Sequence, residues 1–381
     1  MRSKFLCFLA LSYSLMLWPA GAWEVALPGW KYEFPRDHGN HPTFKTEWWY
    51  FTGNLASAEG REFGYQLTFF RQGVRPADGA DIIPLSRFIT TELKFAHFAV
   101  ADLTKKKFHF ADKFSRGAYG EAGFGEGKTL VWIKSWSCEL IGNHTFQLRA
   151  QTREMEVDLT LESSKPAVAH GANGVSPKSE GQGRASHYYS LTRLKTKGLL
   201  RLNAESHQVE GLSWFDHEWA TNQLAAHQKG WDWFSLQFDD GTELMLFQIR
   251  TASGARDEFS SGTFVTSDGT PQAITFRDFE LKPLESWQSK QSGGKYPIRW
   301  TIVIPKLNLH LEVRAAIEDQ ELHLQPISYW EGAIRAVGSR SGKPVQGKGY
   351  LEMTGYGSAI VGMQQSPGVI SKPDSEPTKT P

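Results

Sequence analysis

An acid flanked by aromatic rings stands out in residues 214–219, which read Trp-Phe-Asp-His-Glu-Trp. Because side chains alternate between the two faces of a β-strand, Trp214, Asp216 and Glu218 are predicted to share one face. A carboxyl group among aromatic rings is difficult to ionise, so its pKa rises and it can hold a proton near neutral pH. The segment therefore offers a proton donor for an apolar substrate.

A second group lies upstream, where His187 and Tyr189 are predicted to share a face of another strand. Addition of water to an alkene needs an acid that protonates carbon, a base for the attacking water and a surface that tolerates a carbocation. Asp216 could be the acid and His187 the base. The rings of Trp214 and Tyr189 could stabilise the cation, by about 0.5–2 kcal/mol each. The simpler alternative is a core strand whose acid only binds the backbone or an arginine.

Several well-known catalytic motifs are missing from the sequence. It contains no GxSxG elbow, no HExxH, no Walker loop and no GxGxxG after a strand. His217 and Glu218 begin like a zinc-protease motif, but the second histidine is missing. His38 and His41 have a spacing found in metal ligands, yet they lie in a stretch rich in Gly and Pro. We therefore predict no metal and no cofactor.

The composition favours β-structure and an aromatic binding site. The chain has 14 Trp, 24 Phe and 11 Tyr among its 381 residues. Such residues are frequent in strands, and they suit apolar or sugar ligands. The 42 basic and 41 acidic residues nearly balance, which argues against nucleic acid as a partner.

Residues 1–22 have the order of a secretory signal peptide, with a basic start, an apolar run and small residues before Trp23. The alternative is an uncleaved membrane anchor, although the apolar run is short for a bilayer. We expect a mature protein that starts near Trp23 and is secreted to the periplasm. Cys138 would then be its single cysteine, so no internal disulfide could form. We predict that Cys138 is a buried apolar residue.

Helical periodicity is nearly absent, and turn signals separate short alternating segments. Three dipeptides lie between strand-like runs and predict β-hairpins: Glu59-Gly60, Asp240-Gly241 and Asp268-Gly269. Regular short strands of this kind predict an all-β barrel or sandwich.

The sequence also contains a possible internal repeat. The hairpin at residues 47–71 is similar to that at 231–250, and residues 213–216 and 328–331 both read Ser, aromatic, aromatic, acid. We therefore predict two related β-domains in tandem, with chance similarity between aromatic strands as the alternative.

The predicted domains occupy residues 23–225 and 226–365. The first domain contains a long loop at 163–186, which is rich in Gly, Ser, Pro and Ala and lacks an apolar pattern. Loops of this length are often functional lids or disordered segments. A disordered tail is predicted at 366–381.

Four motifs together resemble the secreted branch of the carotenoid 1,2-hydratase family, often called AttH-like. They are FPRDHGNH…TEWWYFTGNL, SWFDHEWA, GWDWFSLQFDDGTELMLFQIR and YWEGAI…GKGYLEMTGY, and the resemblance covers about residues 30–364. It implies two lipocalin-like antiparallel β-barrels in tandem. It also implies cofactor-free addition of water to a terminal isoprenoid double bond of an acyclic carotenoid, with Asp acid catalysis.

The resemblance assigns roles to individual residues. The family's aspartate resembles Asp216, and its aromatic neighbour resembles Trp214. The family's upstream histidine and second aromatic resemble His187 and Tyr189. We expect these four to line one aromatic cavity in the first barrel, with the loop at 163–186 near its mouth. The other residues predicted to bind the ligand are Glu47, Trp48, Trp49, Tyr50, His217, Trp219, Trp231 and Trp233.

Two further functions stay open at this point. The first is a non-catalytic periplasmic lipocalin-like protein that carries an apolar isoprenoid or lipid-like ligand, in association with a membrane transporter of an export system. The second is a glycan-active hydrolase, in which Asp216 and Glu218 would form the carboxylate pair.

Overall fold

The computed structural model describes residues 22–76, 90–125, 127–324 and 328–357. The predicted tail, and all but the last residue of the predicted signal peptide, lie outside these residues. Short 3-10 turns are found at Arg36–His38, Ala118–Gly120, Phe276–Asp278 and Pro305–Leu307. In the described part of the chain, no helix has the length and apolar character needed to cross a membrane.

The first sheet contains 13 strands. They are β1 (Thr46–Ser57), β2 (Glu62–Gly73), β3 (Glu92–Asp102), β4 (Lys107–Ser115), β5 (Ala122–Phe124), β6 (Thr129–Ile133), β7 (Trp136–Gly142), β8 (Thr145–Gln151), β9 (Met155–Ser163), β10 (Val168–Ala169), β11 (Val175–Pro177), β12 (Ala185–Leu202) and β13 (Glu205–Ala220).

The second sheet contains ten strands. They are β14 (Gln228–Phe238), β15 (Glu243–Thr251), β16 (Ser261–Val265), β17 (Pro271–Ile274), β18 (Glu280–Gln288), β19 (Lys295–Ile304), β20 (Leu309–Ala315), β21 (Glu321–His323), β22 (Ser328–Arg340) and β23 (Lys343–Met353).

Both sheets are antiparallel and strongly curled, so the predicted all-β fold of two tandem lipocalin-like units is confirmed. Their strand orders correspond. The first runs β4-β3-β2-β1-β13-β12-β9-β8-β7-β6-β5, and the second runs β17-β16-β15-β14-β23-β22-β20-β19-β18. The chain passes from one sheet to the other between Ala220 and Gln228.

This correspondence corrects one sequence comparison. Strand β13, with Ser213 to Asp216, takes the position that β23 takes in the second sheet, whereas Ser328 to Glu331 begin β22, the counterpart of β12. The two similar tetrapeptides therefore lie on non-equivalent strands. Consecutive aromatic residues occur in both segments because each strand is buried on both faces there.

The three predicted hairpins are present, and each turn contains a glycine with positive φ. The φ values are +80° at Gly60, +79° at Gly241 and +92° at Gly269. Residues with a Cβ are disfavoured in this left-handed region, which explains the glycines.

The loop predicted at 163–186 is more ordered than its composition suggested. Its short strands β10 and β11 both pair with β12. Lys165 Nζ lies 2.7 Å from Glu243 Oε2 on β15, so the loop also ties the first unit to the second.

Each sheet encloses its own apolar core, and a third buried cluster lies between the sheets. That cluster draws residues from both units, among them Tyr50, Tyr188, Trp214, Trp233 and Phe247. Full burial of a large apolar side chain contributes about 1.5–3 kcal/mol, so this cluster is a substantial part of what holds the units together.

Candidate active site

A cavity of about 170 Å³ lies in this third cluster and is lined by residues from both sheets. Its lining includes nine Trp, Tyr and Phe side chains, namely Trp48, Tyr50, Phe70, Phe95, Tyr188, Trp231, Trp233, Phe247 and Tyr329. Four acids also line it, namely Asp216, Glu218, Glu331 and Glu352. Asp216, Glu218 and Glu331 are buried, and Glu352 is partly buried.

Strand register explains why Asp216 faces this cavity. In the antiparallel pair β1–β13 the residue opposite Asp216 is Tyr50, and in β12–β13 it is Ser190. Side chains of directly opposed residues lie on the same face of a sheet. Asp216, Tyr50 and Ser190 therefore share the outer face of the first sheet, which the second sheet covers.

Three donors surround the Asp216 carboxyl group. Trp214 Nε1 donates to Oδ1 at 2.6 Å, and the Tyr188 hydroxyl donates to Oδ2 at 2.6 Å. The Ser190 hydroxyl also donates to Oδ1. Burial raises the pKa of Asp216 to about 7, although these three hydrogen bonds favour the charged form. Both protonation states are therefore accessible near neutral pH.

Glu331 enters the same cavity from the second sheet. Its Oε1 accepts a hydrogen bond from the Tyr50 hydroxyl, whereas its buried Oε2 has no hydrogen-bond partner among the described residues. Burial, together with the nearby Glu352 and Asp216 carboxyl groups, raises the pKa of Glu331 well above its ordinary value. These surroundings therefore favour the protonated form of Glu331 over its carboxylate.

The remaining two acids differ from each other. Burial raises the pKa of Glu352 to about 7, against the effect of a hydrogen bond from Trp231. Glu218 forms an ion pair with Lys178, at 3.2 Å between Nζ and Oε1. The Lys178 ammonium group also lies 4.3 Å from the centre of the Phe247 ring.

A histidine contacts the Asp216 network from the loop at 163–186. His170 Nε2 lies 2.6 Å from Ser190 Oγ, and its Nδ1 lies 2.8 Å from Thr263 Oγ1 on β16. Burial and the Lys178 charge lower the pKa of His170 to about 3, so its imidazole is neutral. Since the single Ser190 proton is donated to Asp216, His170 Nε2–H donates to Ser190.

The prediction that Asp216, Trp214, His187 and Tyr189 line one cavity is wrong. In the β12–β13 register His187 opposes Trp219 and Tyr189 opposes His217. These residues point into the first sheet, on the face opposite to Asp216. Trp214 does contact Asp216, through its indole, but it lies behind the carboxyl group and does not line the cavity.

The ligand-binding predictions divide between the same two faces. Trp48, Tyr50, Trp231 and Trp233 line the cavity. Glu47, Trp49, His217 and Trp219 do not, because strand alternation turns them into the interior of the first sheet with His187 and Tyr189.

Several residues that were predicted to line the cavity lie instead inside the first sheet, in a hydrogen-bonded network around Glu47. Glu47 Oε1 lies 2.7 Å from His41 Nδ1 and 3.0 Å from His217 Nε2, while Oε2 accepts a hydrogen bond from Arg71 Nε at 3.1 Å. Burial alone would raise the pKa of Glu47, but these neighbours hold it below its usual range. Trp219 stacks on His41 with 3.6 Å between ring centres.

His41, Glu47 and His217 are also the one group of potential metal ligands with suitable spacing in the described residues, all three ligand atoms lying within 4.8 Å of one another. In the structure these atoms bind each other, and Arg71 supplies the positive charge beside Glu47. A metal ion would have to displace the direct contacts of Glu47 with both imidazoles.

Sequence reasoning missed Tyr188, Ser190, His170, Glu331 and Glu352. Glu352 had a visible signal, because Tyr350 and Glu352 on β23 repeat the aromatic-x-acid spacing of Trp214 and Asp216 on the equivalent β13. His170 had none, since it lies in a Gly-rich segment without periodicity.

Comparison with known proteins agrees with this architecture. The AttH-like family matches residues 25–356. An AttH protein of Nitrosomonas europaea has 30% sequence identity and a TM-score of 0.79, covering 88% of this chain and 100% of its own. Kievitone hydratase of Nectria haematococca shares the fold, with 16% identity, a TM-score of 0.67, and coverage of 85% of this chain and 92% of its own.

A third relative is known from sequence. The dehydratase asqC of Emericella nidulans is 23% identical over 273 residues, which is 67% of this chain and 75% of that protein. Since the family match spans nearly all of the described residues, the chain belongs to the AttH-like family.

Proposed function

We propose that this protein is a hydro-lyase, which adds water to a C=C bond, or removes it, in an apolar isoprenoid or lipid-like substrate. The observation that supports the proposal most directly is Asp216, a buried carboxyl group with a pKa of about 7 at the wall of an aromatic cavity. Such a group can give a proton in one direction of the reaction and take it back in the other.

The relatives agree with this reaction class. One is called a dehydratase, and another protein of the same fold is called a hydratase. Hydration and dehydration are the two directions of a single reaction, so one arrangement of side chains catalyses both.

The shape of the cavity bears on the substrate. Its volume of about 170 Å³ is comparable to the roughly 150 Å³ of a dry cavity that accepts benzene. A long isoprenoid would therefore insert only its reacting end. The aromatic walls would stabilise a carbocation there by about 0.5–2 kcal/mol per well-placed ring.

Other parts of the site would position Asp216. Trp214, Tyr188 and Ser190 hold the carboxyl group in one orientation, and His170 in turn orients Ser190. Lys178 closes the wall beside Glu218.

Incubation with substrate probes in ¹⁸O-labelled water tests the proposal. We would use lycopene, which has terminal isoprenoid double bonds, and kievitone, and detect the gain of one labelled water by mass spectrometry. Asp216→Asn should reduce turnover by about 10²–10⁴-fold, because the amide cannot transfer the proton, while probe affinity changes little. The exposed Asp112→Asn is the matched control and should retain wild-type turnover.

Two outcomes would contradict the proposal, the first for turnover and the second for the role of Asp216. Tight retention of a probe without any conversion by the wild-type protein would favour the carrier function. Full activity of the Asp216→Asn variant would remove Asp216 from the reaction. Export to the periplasm and association with a membrane transporter stay predictions, the first of which is tested by N-terminal sequencing of the natural protein.

A further inference from the structure

The reaction needs a second proton-transfer group besides Asp216. When water adds to an alkene, one group must protonate carbon and another must accept a proton from the attacking water. His187 was expected in the second role, but it lies on the opposite face of the first sheet. The second group must therefore come from elsewhere in the cavity.

Glu331 on β22 is the side chain placed to take one of these two roles, with Asp216 in the other. It is 1% exposed and lines the cavity with Asp216. Its Oε1 is occupied by the Tyr50 hydroxyl, so its orientation is set, and its Oε2 has no partner among the described residues. A buried polar atom without a partner is unfavourable, and a hydrogen bond to a molecule in the cavity can offset that cost.

Tyr50 links the two acids. Its backbone lies directly opposite Asp216 in the β1–β13 pair, and its side chain extends across the cavity to Glu331 on the other sheet. The two carboxyl groups thus approach a molecule in the cavity from opposite sheets.

We propose that Glu331 is the second catalytic residue of this site, positioned by Tyr50 and acting with Asp216. This inference rests on the proposed hydro-lyase function. In hydration, the Glu331 Oε2–H bond breaks and its proton forms the new C–H bond. Water forms the C–O bond at the neighbouring carbon, and its surplus proton goes to the Asp216 carboxylate. Exchange with solvent then returns a proton to Glu331 and removes one from Asp216.

Dehydration runs through the same steps in reverse. Asp216 protonates the departing hydroxyl group, which leaves as water, and Glu331 removes the proton from the adjacent carbon. The two acids have separate roles because their surroundings differ. Three donors stabilise the Asp216 carboxylate, whereas among the described residues Glu331 accepts a hydrogen bond only from Tyr50.

The first measurement needs no substrate. Infrared spectra of the wild-type protein at pH 8 should contain the C=O band of a protonated carboxyl group. The Glu331 component of this band should disappear in Glu331→Gln and shift in Tyr50→Phe, because Tyr50 donates to that group. Asp216 and Glu352, with pKa values of about 7, should contribute a small remainder. A band that is unchanged in Glu331→Gln, or no protonated carboxyl at pH 8, would overturn the proposal.

The second measurement uses the lycopene and kievitone assay. Glu331→Gln should lower kcat by at least about 100-fold with KM changed only a few-fold. Tyr50→Phe should lower kcat less than Glu331→Gln does and should shift the pH profile of kcat, because Tyr50 positions Glu331 through its hydroxyl. The partly exposed Glu312→Gln, matched in chemistry, should behave as wild type. Wild-type kcat in Glu331→Gln would overturn the assignment even if hydro-lyase activity is present.

The two measurements also separate the two proposals. If the wild type converts neither probe, the hydro-lyase function fails, and the infrared band still decides whether Glu331 holds a proton. Circular dichroism shows whether Glu331→Gln folds. If it does not fold, the test uses the position of the infrared band and the pH profile of activity in Tyr50→Phe. An unchanged band and profile in that variant would contradict the proposal.

Discussion

The indole of Trp233 on the second sheet donates a hydrogen bond to the hydroxyl of Tyr188 on the first sheet, over 3.0 Å. Tyr188 in turn donates to Asp216. The Tyr50–Glu331 contact runs the other way, from the first sheet to the second. Since β1 corresponds to β14 and β12 to β22, the two contacts are equivalent across the pair of sheets. The docking of the two units therefore sets the environment of both acids.

Tyr188→Phe should raise the pKa of Asp216 above its present value of about 7, because the carboxylate loses one of its three donors. Carbon NMR of protein labelled at the Asp carboxyl groups measures this titration, with Asp216→Asn to assign the signal. Tyr189→Phe is the matched control, since Tyr189 contacts His38 on the other face. An equal effect of both variants would contradict the two-face arrangement.

Asp216 should make the protein less stable as the pH rises. A carboxyl group whose pKa is raised on folding contributes stability below its unfolded value of about 4, and that contribution is lost as the pH rises through about 7. Relative to Asp216→Asn, the wild type should lose about 4 kcal/mol of unfolding free energy between pH 4 and pH 8. Urea unfolding across this range measures the difference. A difference that does not vary with pH would show that Asp216 ionises as easily when folded as when unfolded.

Glu47→Gln should destabilise the first unit by about 3–5 kcal/mol, because the buried Arg71 guanidinium loses its nearer carboxylate and keeps only Glu92, 3.9 Å away. Urea unfolding at pH 7 measures the loss. Glu62→Gln is the control. Glu62 pairs with Lys348 at the surface, where such a pair contributes about 0–1 kcal/mol. A loss below about 1 kcal/mol in Glu47→Gln would mean that the network around Glu47 adds little to stability.

Gly64→Ala should weaken the contact between the two sheets. A Cβ at Gly64 would lie 2.7 Å from Tyr350 Oη and 2.9 Å from Ala333 Cβ. The overpacking should cost about 1–3 kcal/mol, which exceeds the roughly 0.4–1 kcal/mol gained from a less flexible unfolded chain. Thermal unfolding measures the net effect. Gly127→Ala, where the added Cβ meets nothing within 4 Å, is the control. A more stable Gly64→Ala protein would show that the sheets can separate slightly without cost.

Much of the fold follows from local sequence alone. Alternating strands with glycine turns at Gly60, Gly241 and Gly269 predict an all-β chain, and the repeated aromatic hairpin predicts two related units. The shared face of Trp214 and Asp216 follows from the two-residue period of a strand. These features depend only on neighbouring residues, so the sequence by itself determines them.

The tertiary structure decided which face of each strand forms the site. Residues 213–220 are all buried, because β13 packs on the core of its own sheet on one side and on the second sheet on the other. When both faces are apolar, alternation identifies two faces but not their partners. The register of β12 against β13 brought Ser190, not His187 or Tyr189, beside Asp216. The pairing of Tyr50 with Glu331, separated by 281 residues in sequence, depends on how two folded sheets dock, and no local pattern encodes it.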